Sequence, residues 1–264
     1  MANNLPVRWT RDQMVIACGL YFTLPFGKMH KGNPAIMEIA RLMGRTPSSL
    51  AMKLVNFASL DPVHKSRGVR GLSGHSKADE LVWAEFQDNW DQMTILSERS
   101  LGALRAGGLE PSAVVEPAPQ DYSDGRTEVE RTVVVRTMQG VFRKMVLAAY
   151  NSTCCITGNP VPELLVASHI LPWGEFPEER LNPRNGLCLA AHFDRAFDRG
   201  LISVDQRRCL LLSPALKRFL VNDAVKAEFG GREGRPIACP ERFEAADEFL
   251  AYHRSVIFGR RVGA

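Results

Sequence analysis

Two aspartates, Asp194 and Asp198, stand four residues apart in the run Ala191-His-Phe-Asp-Arg-Ala-Phe-Asp-Arg199. On a helix that spacing stacks both carboxylates one turn apart on a single face, and Phe193 and Phe197 repeat it one step round. Two like charges so close repel unless a cation lies between them, and oxygen donors with room for water favour Mg2+ or Mn2+ over zinc. The competing reading is an exposed face on which Arg195 and Arg199 neutralise the acids. A histidine upstream, His169, at the end of a short apolar run, favours the metal centre.

Those residues need a frame. Glu163-Leu-Leu-Val-Ala-Ser-His169-Ile-Leu-Pro172 closes on a histidine and a proline, the pattern of a strand entering a loop. Residues 173–184 have turn and charged character. Asn185-Gly186 then leads into a second short strand, Leu187-Cys188-Leu189, and Gly200 stops the helix that follows. Ahead of this strand, loop, strand and helix, residues 128–150 predict a helix that buries Val134, Met138, Val141, Phe142, Met145, Val146 and Ala149. Arg131, Arg136 and Arg143 are left for solvent or phosphate.

Residues 1–106 read as all-helical. Thr10-Arg-Asp-Gln13 is a capping box that opens a helix over about 11–23. Asn33 and Pro34 open a second, with Ile36, Ile39, Ala40 and Met43 as its stripe and Gly44 as its stop. Thr46 and Pro47 open a third, in which Leu50, Leu54 and Phe57 share one face and Ser49, Lys53 and Asn56 another. Two helices joined by Gly44-Arg45-Thr46 have the outline of a helix-turn-helix, whose second helix offers polar side chains to base edges; plain bundle packing has the same outline. The run His64-Lys-Ser-Arg-Gly-Val-Arg70, with Lys77, concentrates positive charge in a Gly/Ser-rich loop. Residues 78–106 predict one long amphipathic helical stretch with Trp83, Phe86 and Trp90 as core. Residues 107–124, with three prolines and a glycine pair, read as an extended linker between domains at 1–106 and 125–264.

Composition sets outer bounds. A chain of 264 residues, 45% hydrophobic and 23% charged, suits two modest globular domains. No run approaches the roughly 18 apolar residues of a membrane span, and Met1 to Arg8 lack a signal-peptide pattern, so a cytoplasmic location without membrane is expected. Cys18, Cys154, Cys155, Cys188, Cys209 and Cys239 form no C-x-x-C pair; they are read as reduced, mostly buried thiols, and structural zinc is not expected. A net charge of +4 and a pI near 8.8 accommodate a polyanion without requiring one.

Taken together, Cys155-Ile-Thr-Gly158, Ala167-Ser-His-Ile-Leu-Pro-Trp173, Arg180, Asn185-Gly-Leu-Cys-Leu189 and Phe197-Asp-Arg-Gly-Leu-Ile202 resemble the HNH (ββα-metal) endonucleases. The similarity is to the branch found among bacterial restriction-type nucleases and covers roughly residues 125–260. It implies an α+β chain: an N-terminal all-α, helix-turn-helix-like domain followed by a ββα-metal nuclease domain with flanking helices. It implies that His169 is the general base, that Asn185 ties down the loop orienting it, and that Asp194 and Asp198 hold a single Mg2+ or Mn2+. Arg180, Arg184, Arg195 and Arg199 become candidates to hold neighbouring phosphates.

Two positions depart from the family pattern. Nine residues after Asn185, where the last histidine is expected, stands Asp194; His192 falls two residues earlier and so faces about 200° away. Before the base, where relatives often carry Asp or His, stands Ser168. His192 and Ser168 are therefore lesser candidates for the metal. The segment Gly44 to Pro62 resembles a helical domain preceding HNH modules in predicted restriction endonucleases, which implies DNA reading by Arg45, Ser49, Lys53 and Asn56, with Lys65, Arg67 and Arg70 on phosphates. The implied activity is metal-dependent cleavage of double-stranded DNA to 5′-phosphate and 3′-hydroxyl ends in restriction or defence, with a homodimer as one assembly. The alternatives are a catalytically inactive HNH-fold DNA-binding regulator and an RNA-directed or toxin nuclease.

Overall fold

Caps written into the sequence set the first helices. Thr10 accepts from the Gln13 amide and Gln13 returns the bond, opening α1 (Arg11–Thr23). Asn33 before Pro34 opens α2 (Pro34–Leu42), and Thr46 before Pro47 opens α3 (Pro47–Leu60), with α4 (Pro62–Ser66) directly after it. The computed structural model describes residues 8–66, 74–107 and 128–259. Arg67, Arg70 and nearly all of the 107–124 segment lie outside the described residues, as does the side chain of Lys65.

The stretch expected as one helix over 78–106 is two, α5 (Lys77–Asp88) and α6 (Trp90–Arg105), broken at Asn89, whose φ of −137° and ψ of 54° are not helical. Asparagine is a poor helix former, and the break lets two aromatic residues reach one ring. Phe22 of α1 meets Phe86 at 5.5 Å and Trp90 at 4.7 Å, with Trp83 at 5.4 Å completing the cluster. Buried polar pairs tie α3 and its end into this bundle. Tyr21 donates to Asp61 at 2.6 Å, and Lys53 donates to Asp79 of α5 at 2.6 Å.

By its contacts the chain divides into two compact units, 1–141 and 142–264. The division falls within α7 (Glu128–Ala149), further along than the proline-rich segment. The last turns of α7 account for this, since Phe142, Met145, Val146 and Ala149 are buried. In the second unit β1 (Leu165–His169) and β2 (Gly186–Ala190) form an antiparallel hairpin, and α8 (Ala191–Asp198) leaves directly from β2. Strand, loop, strand and helix thus follow in the expected order.

The sequence reading did not anticipate the rest: a second hairpin of β3 (Ile202–Val204) and β4 (Leu210–Leu212), then α9 (Pro214–Lys217), α10 (Asp223–Phe229), α11 (Asp247–Tyr252) and a π-helical turn, His253–Ile257. Strands of three residues are too short to show alternation. No helix among the described residues is long and apolar enough to cross a membrane.

The π turn closes on the end of α8. Gly200 has φ 64°, and a Cβ there would run into the Ile257 carbonyl, so only glycine permits the approach. His253 is buried, stacked on Phe197 at 3.7 Å; its Nε2 donates to the Phe197 carbonyl at 3.1 Å and its Nδ1 accepts from Ser203 Oγ at 2.9 Å. Burial pushes its pKa down to about 4, against the pull of the Phe197 carbonyl. The unfolded chain takes up this proton near pH 6.5 and the folded chain only near 4. Stability is therefore undiminished above the unfolded value and falls as pH drops between the two. In thermal melts, His253→Gln should start from a lower Tm at neutral pH yet lose less between pH 6.5 and 4 than the parent; parallel declines would exclude His253 as the titrating group.

Candidate active site

His169 ends β1 directly opposite Gly186 of β2. That face of the hairpin receives α7: a Cβ on Gly186 would run into Val146 and Phe142, so the missing side chain lets the helix approach. Phe142 lies flat on the His169 imidazole, with ring centroids 3.7 Å apart and planes 13° from parallel. Trp173 meets the imidazole edge-on at 5.2 Å.

The imidazole is held at one nitrogen. His169 Nε2 lies 3.1 Å from the Arg180 carbonyl, and a carbonyl only accepts, so Nε2 carries the proton and Nδ1 keeps its lone pair. Burial lowers the pKa from its ordinary 6.5; the Arg180 carbonyl opposes this and the Arg180 charge adds to it. His169 is therefore neutral at physiological pH, as a base must be.

Asn185 places that carbonyl. Its side chain is buried; Oδ1 accepts from the Leu171 amide at 2.8 Å and Nδ2 donates to the Glu179 carbonyl at 3.1 Å. Its own carbonyl accepts from the Ile170 amide at 3.0 Å. One residue thus pins both ends of the loop between the strands, and Arg180 is next to the atom it holds. Arg180 Nε donates to the Trp173 carbonyl at 2.9 Å, with its guanidinium 5.0 Å from the Trp173 ring centre.

Successive strand residues face opposite sides, so Ser168 points away from His169. Phe142 and Val146 occupy the Gly186 side, and α8 packs on the same hairpin. Ser168 is 2% exposed and its Oγ has no hydrogen-bond partner among the described residues. A buried hydroxyl without a partner costs about 1–3 kcal/mol, and a bound ligand would recover it.

On α8, Asp194 is half-buried and Asp198 is exposed over its residue surface. The Asp198 carboxyl is nonetheless pushed up to about 6, first by loss of surrounding water and then by the Asp194 carboxylate, with Arg195 and Arg199 acting the other way. Arg195 and Arg199 thus offset part of this charge from a distance. No group of three or more His, Cys, Asp or Glu side chains converges in ligand geometry among the described residues. Asp194 and Asp198 are oxygen donors of the kind a hard divalent cation takes, with their charge partly offset by Arg195 and Arg199.

Other expected residues are placed differently. His192 turns to α10, with Nε2 3.1 Å from Glu228, and does not join Asp194 and Asp198. Arg184 donates to the Glu244 carbonyl at 3.3 Å, while Arg195 and Arg199 are exposed. In the first unit, Lys53 and Asn56 do not lie on an open helix face; they are 6% and 9% exposed, and Lys53 is drawn inward by Asp79. The outer face of α3 is instead Ser48 and Met52, flanked by Ala51 and Val55. Arg45 is anchored by Gln13 at 2.9 Å and the Arg8 carbonyl at 2.7 Å, and the Ser49 amide donates to Thr46 Oγ1 at 3.1 Å.

Sequence reasoning missed the Arg180 carbonyl and the stacking of Phe142, since backbone carbonyls carry no signal in residue type. Arg143, expected to be left for solvent or phosphate, instead donates to the carbonyls of Leu165 and Pro162 at 2.6 and 2.9 Å.

A hairpin ending in His169, a loop tethered by Asn185 and a helix leaving directly from the second strand make a ββα arrangement. Residues 154–205 match the HNH endonuclease family, so the chain carries an HNH endonuclease domain after an N-terminal helical region. A search of curated proteins finds no match for the chain. The domain is that of a nuclease, and nucleic acid is the substrate such domains act on.

Asn185→Ala should leave the Leu171 amide buried and unpaired, costing about 1–3 kcal/mol in stability. It should also free the Arg180 carbonyl, and the measurable sign is an acid limb of the pH–rate profile that moves, together with a fall in kcat larger than the change in KM. A variant that is merely less stable, with its profile unmoved, would deny Asn185 its part in orienting His169.

Proposed function

We propose that the chain is a metal-dependent DNA endonuclease in which His169 takes the proton from an attacking water. The observation that carries this reading is the imidazole itself, neutral, stacked on Phe142 and bonded through Nε2 to the Arg180 carbonyl, with Nδ1 left as the acceptor.

A water donating to Nδ1 loses its proton there as its oxygen attacks phosphorus, the bond to the 3′ oxygen breaks on the opposite side, and that oxygen takes a proton from solvent water. The products are a 5′-phosphate and a 3′-hydroxyl. The Arg180 carbonyl, fixed through Asn185, faces the imidazolium that forms and steadies it. Asp194, Asp198 and Ser168 would hold Mg2+ or Mn2+, which when bound supplies positive charge to the phosphate and the departing oxygen. Arg195 and Arg199, exposed on the same helix, are suited to adjoining phosphates.

The substrate assigned is double-stranded DNA in a restriction or defence setting. A nuclease domain preceded by a separate helical unit supports this, the one cutting and the other targeting. The intact base and tether argue against an inactive regulator. RNA offered beside DNA separates the remaining alternative.

His169→Ala should lower cleavage of supercoiled plasmid in Mg2+ or Mn2+ by about 10²–10⁴-fold, since proton transfer contributes on that order. Its DNA affinity in a metal-free binding titration should stay within about twofold, because no phosphate contact is lost. Asp194→Asn and Asp198→Asn should each raise the metal concentration for half-maximal cleavage, and His192→Ala should not. Undiminished cleavage by His169→Ala would overturn the reading.

A further inference from the structure

The loop between β1 and β2 carries the carbonyl that holds His169, and its middle lies at the surface. Gly174, Glu175, Pro177 and Glu178 are exposed. Asn185 secures the loop at the Leu171 amide and the Glu179 carbonyl, so the stretch between them needs a support of its own.

That stretch is a tight turn wired to the imidazole. The amides of Glu175 and Phe176 both donate to the Pro172 carbonyl, at 3.1 and 3.2 Å. Arg180 Nε reaches back to the Trp173 carbonyl at 2.9 Å, and Trp173 meets the His169 ring edge-on. A shift of the turn therefore passes through Trp173 to Arg180, whose carbonyl lies 3.1 Å from His169 Nε2.

The turn leans on the C-terminal segment. Tyr252, the last residue of α11, donates from its hydroxyl to Glu175 at 2.9 Å, and its ring meets Phe176 edge-on at 5.1 Å. The helix beneath it is firmly seated. Ala246 and Leu250 are buried, the Ala246 amide donates to the Arg184 carbonyl at 3.1 Å, and Arg208 reaches Asp247 at 2.9 Å. The residue after Tyr252 is His253, which is stacked on Phe197 of α8. Two adjacent side chains thus hold the loop that orients His169 and the helix that carries Asp194 and Asp198.

We infer that Tyr252 is a positioning residue for His169: its hydroxyl and ring fix the 172–176 turn and, through Arg180, keep the imidazole on its carbonyl. The nuclease reading enters only in calling His169 a base; the tether itself does not depend on it.

The first test is the rate at which the His169 Nε2 proton exchanges with solvent, read by 1H–15N NMR of the full chain with His169→Asn to assign the signal. Tyr252→Phe removes the hydroxyl and keeps the ring. It should speed exchange at least about threefold, the scale of one modest hydrogen bond, with little change in Tm. Glu175→Ala should do the same, and Glu175→Gln, which still accepts, should recover most of the loss. Because the two groups act through one bond, Tyr252→Phe combined with Glu175→Ala should exchange no faster than either alone.

The second test is plasmid cleavage in Mg2+. Tyr252→Phe should lower kcat at least about threefold and leave KM within about twofold, since the base is misplaced while no phosphate contact is lost. Exchange equal to the parent's overturns the inference, whatever happens to Tm, and so do additive effects in the double variant. An undiminished kcat despite faster exchange overturns it as well. If the parent cuts no nucleic acid while Tyr252→Phe exchanges faster, the nuclease reading fails and the tether stands; if the parent cuts and exchange is unmoved, the tether fails and the nuclease reading stands.

Discussion

The hydrogen bond from His169 Nε2 to the Arg180 carbonyl is the constraint on which the site depends. An imidazole has two nitrogens, and a base needs one of them bare. By engaging Nε2 with a group that can only accept, the fold removes the choice of tautomer. The surrounding residues maintain that one contact. Asn185 fixes the neighbouring Glu179 carbonyl, Arg180 is fastened to Trp173, Phe142 holds the ring flat, and Gly186 gives up its side chain so that α7 can bring Phe142 close.

The same device occurs again at the far end of α8. His253 stacks on Phe197 at 3.7 Å and donates from Nε2 to a backbone carbonyl, as His169 does, but its Nδ1 is occupied by Ser203. One histidine keeps a free nitrogen and so has chemistry available; the other has spent both and is structural. Between them α8 is fixed through its buried Phe193 and Phe197, while Asp194 and Asp198 lie off the buried face, their mutual repulsion partly offset by Arg195 and Arg199.

Much of this was legible in residue type and spacing because it rests on local rules. Thr10, Asn33 and Thr46 announce helices α1, α2 and α3 through bonds to amides two or three residues away. The strand, loop, strand and helix order around His169 and Asn185 follows from short apolar runs and turn residues. What failed depended on distant partners. Ser49, Lys53 and Asn56 repeat at helical spacing like an outer polar face, yet Lys53 is turned inward by an aspartate 26 residues on. His253 meets Phe197 across 56 residues, and nothing in its own neighbourhood announces it. Asn89 breaks a helix because Phe86 and Trp90 both pack on Phe22, a cause that periodicity along one segment does not contain.

Long-range 1H–15N correlation of the imidazoles in the full chain, recorded across pH 4–8 with His169→Asn to assign the signal, tests the central claim most directly. At neutral pH His169 should show the Nε2–H tautomer, with protonation at Nδ1 centred below the ordinary 6.5 because the ring is buried. An Nδ1–H tautomer, or a midpoint above 6.5, would mean that the Arg180 carbonyl does not set the His169 tautomer and would contradict the account.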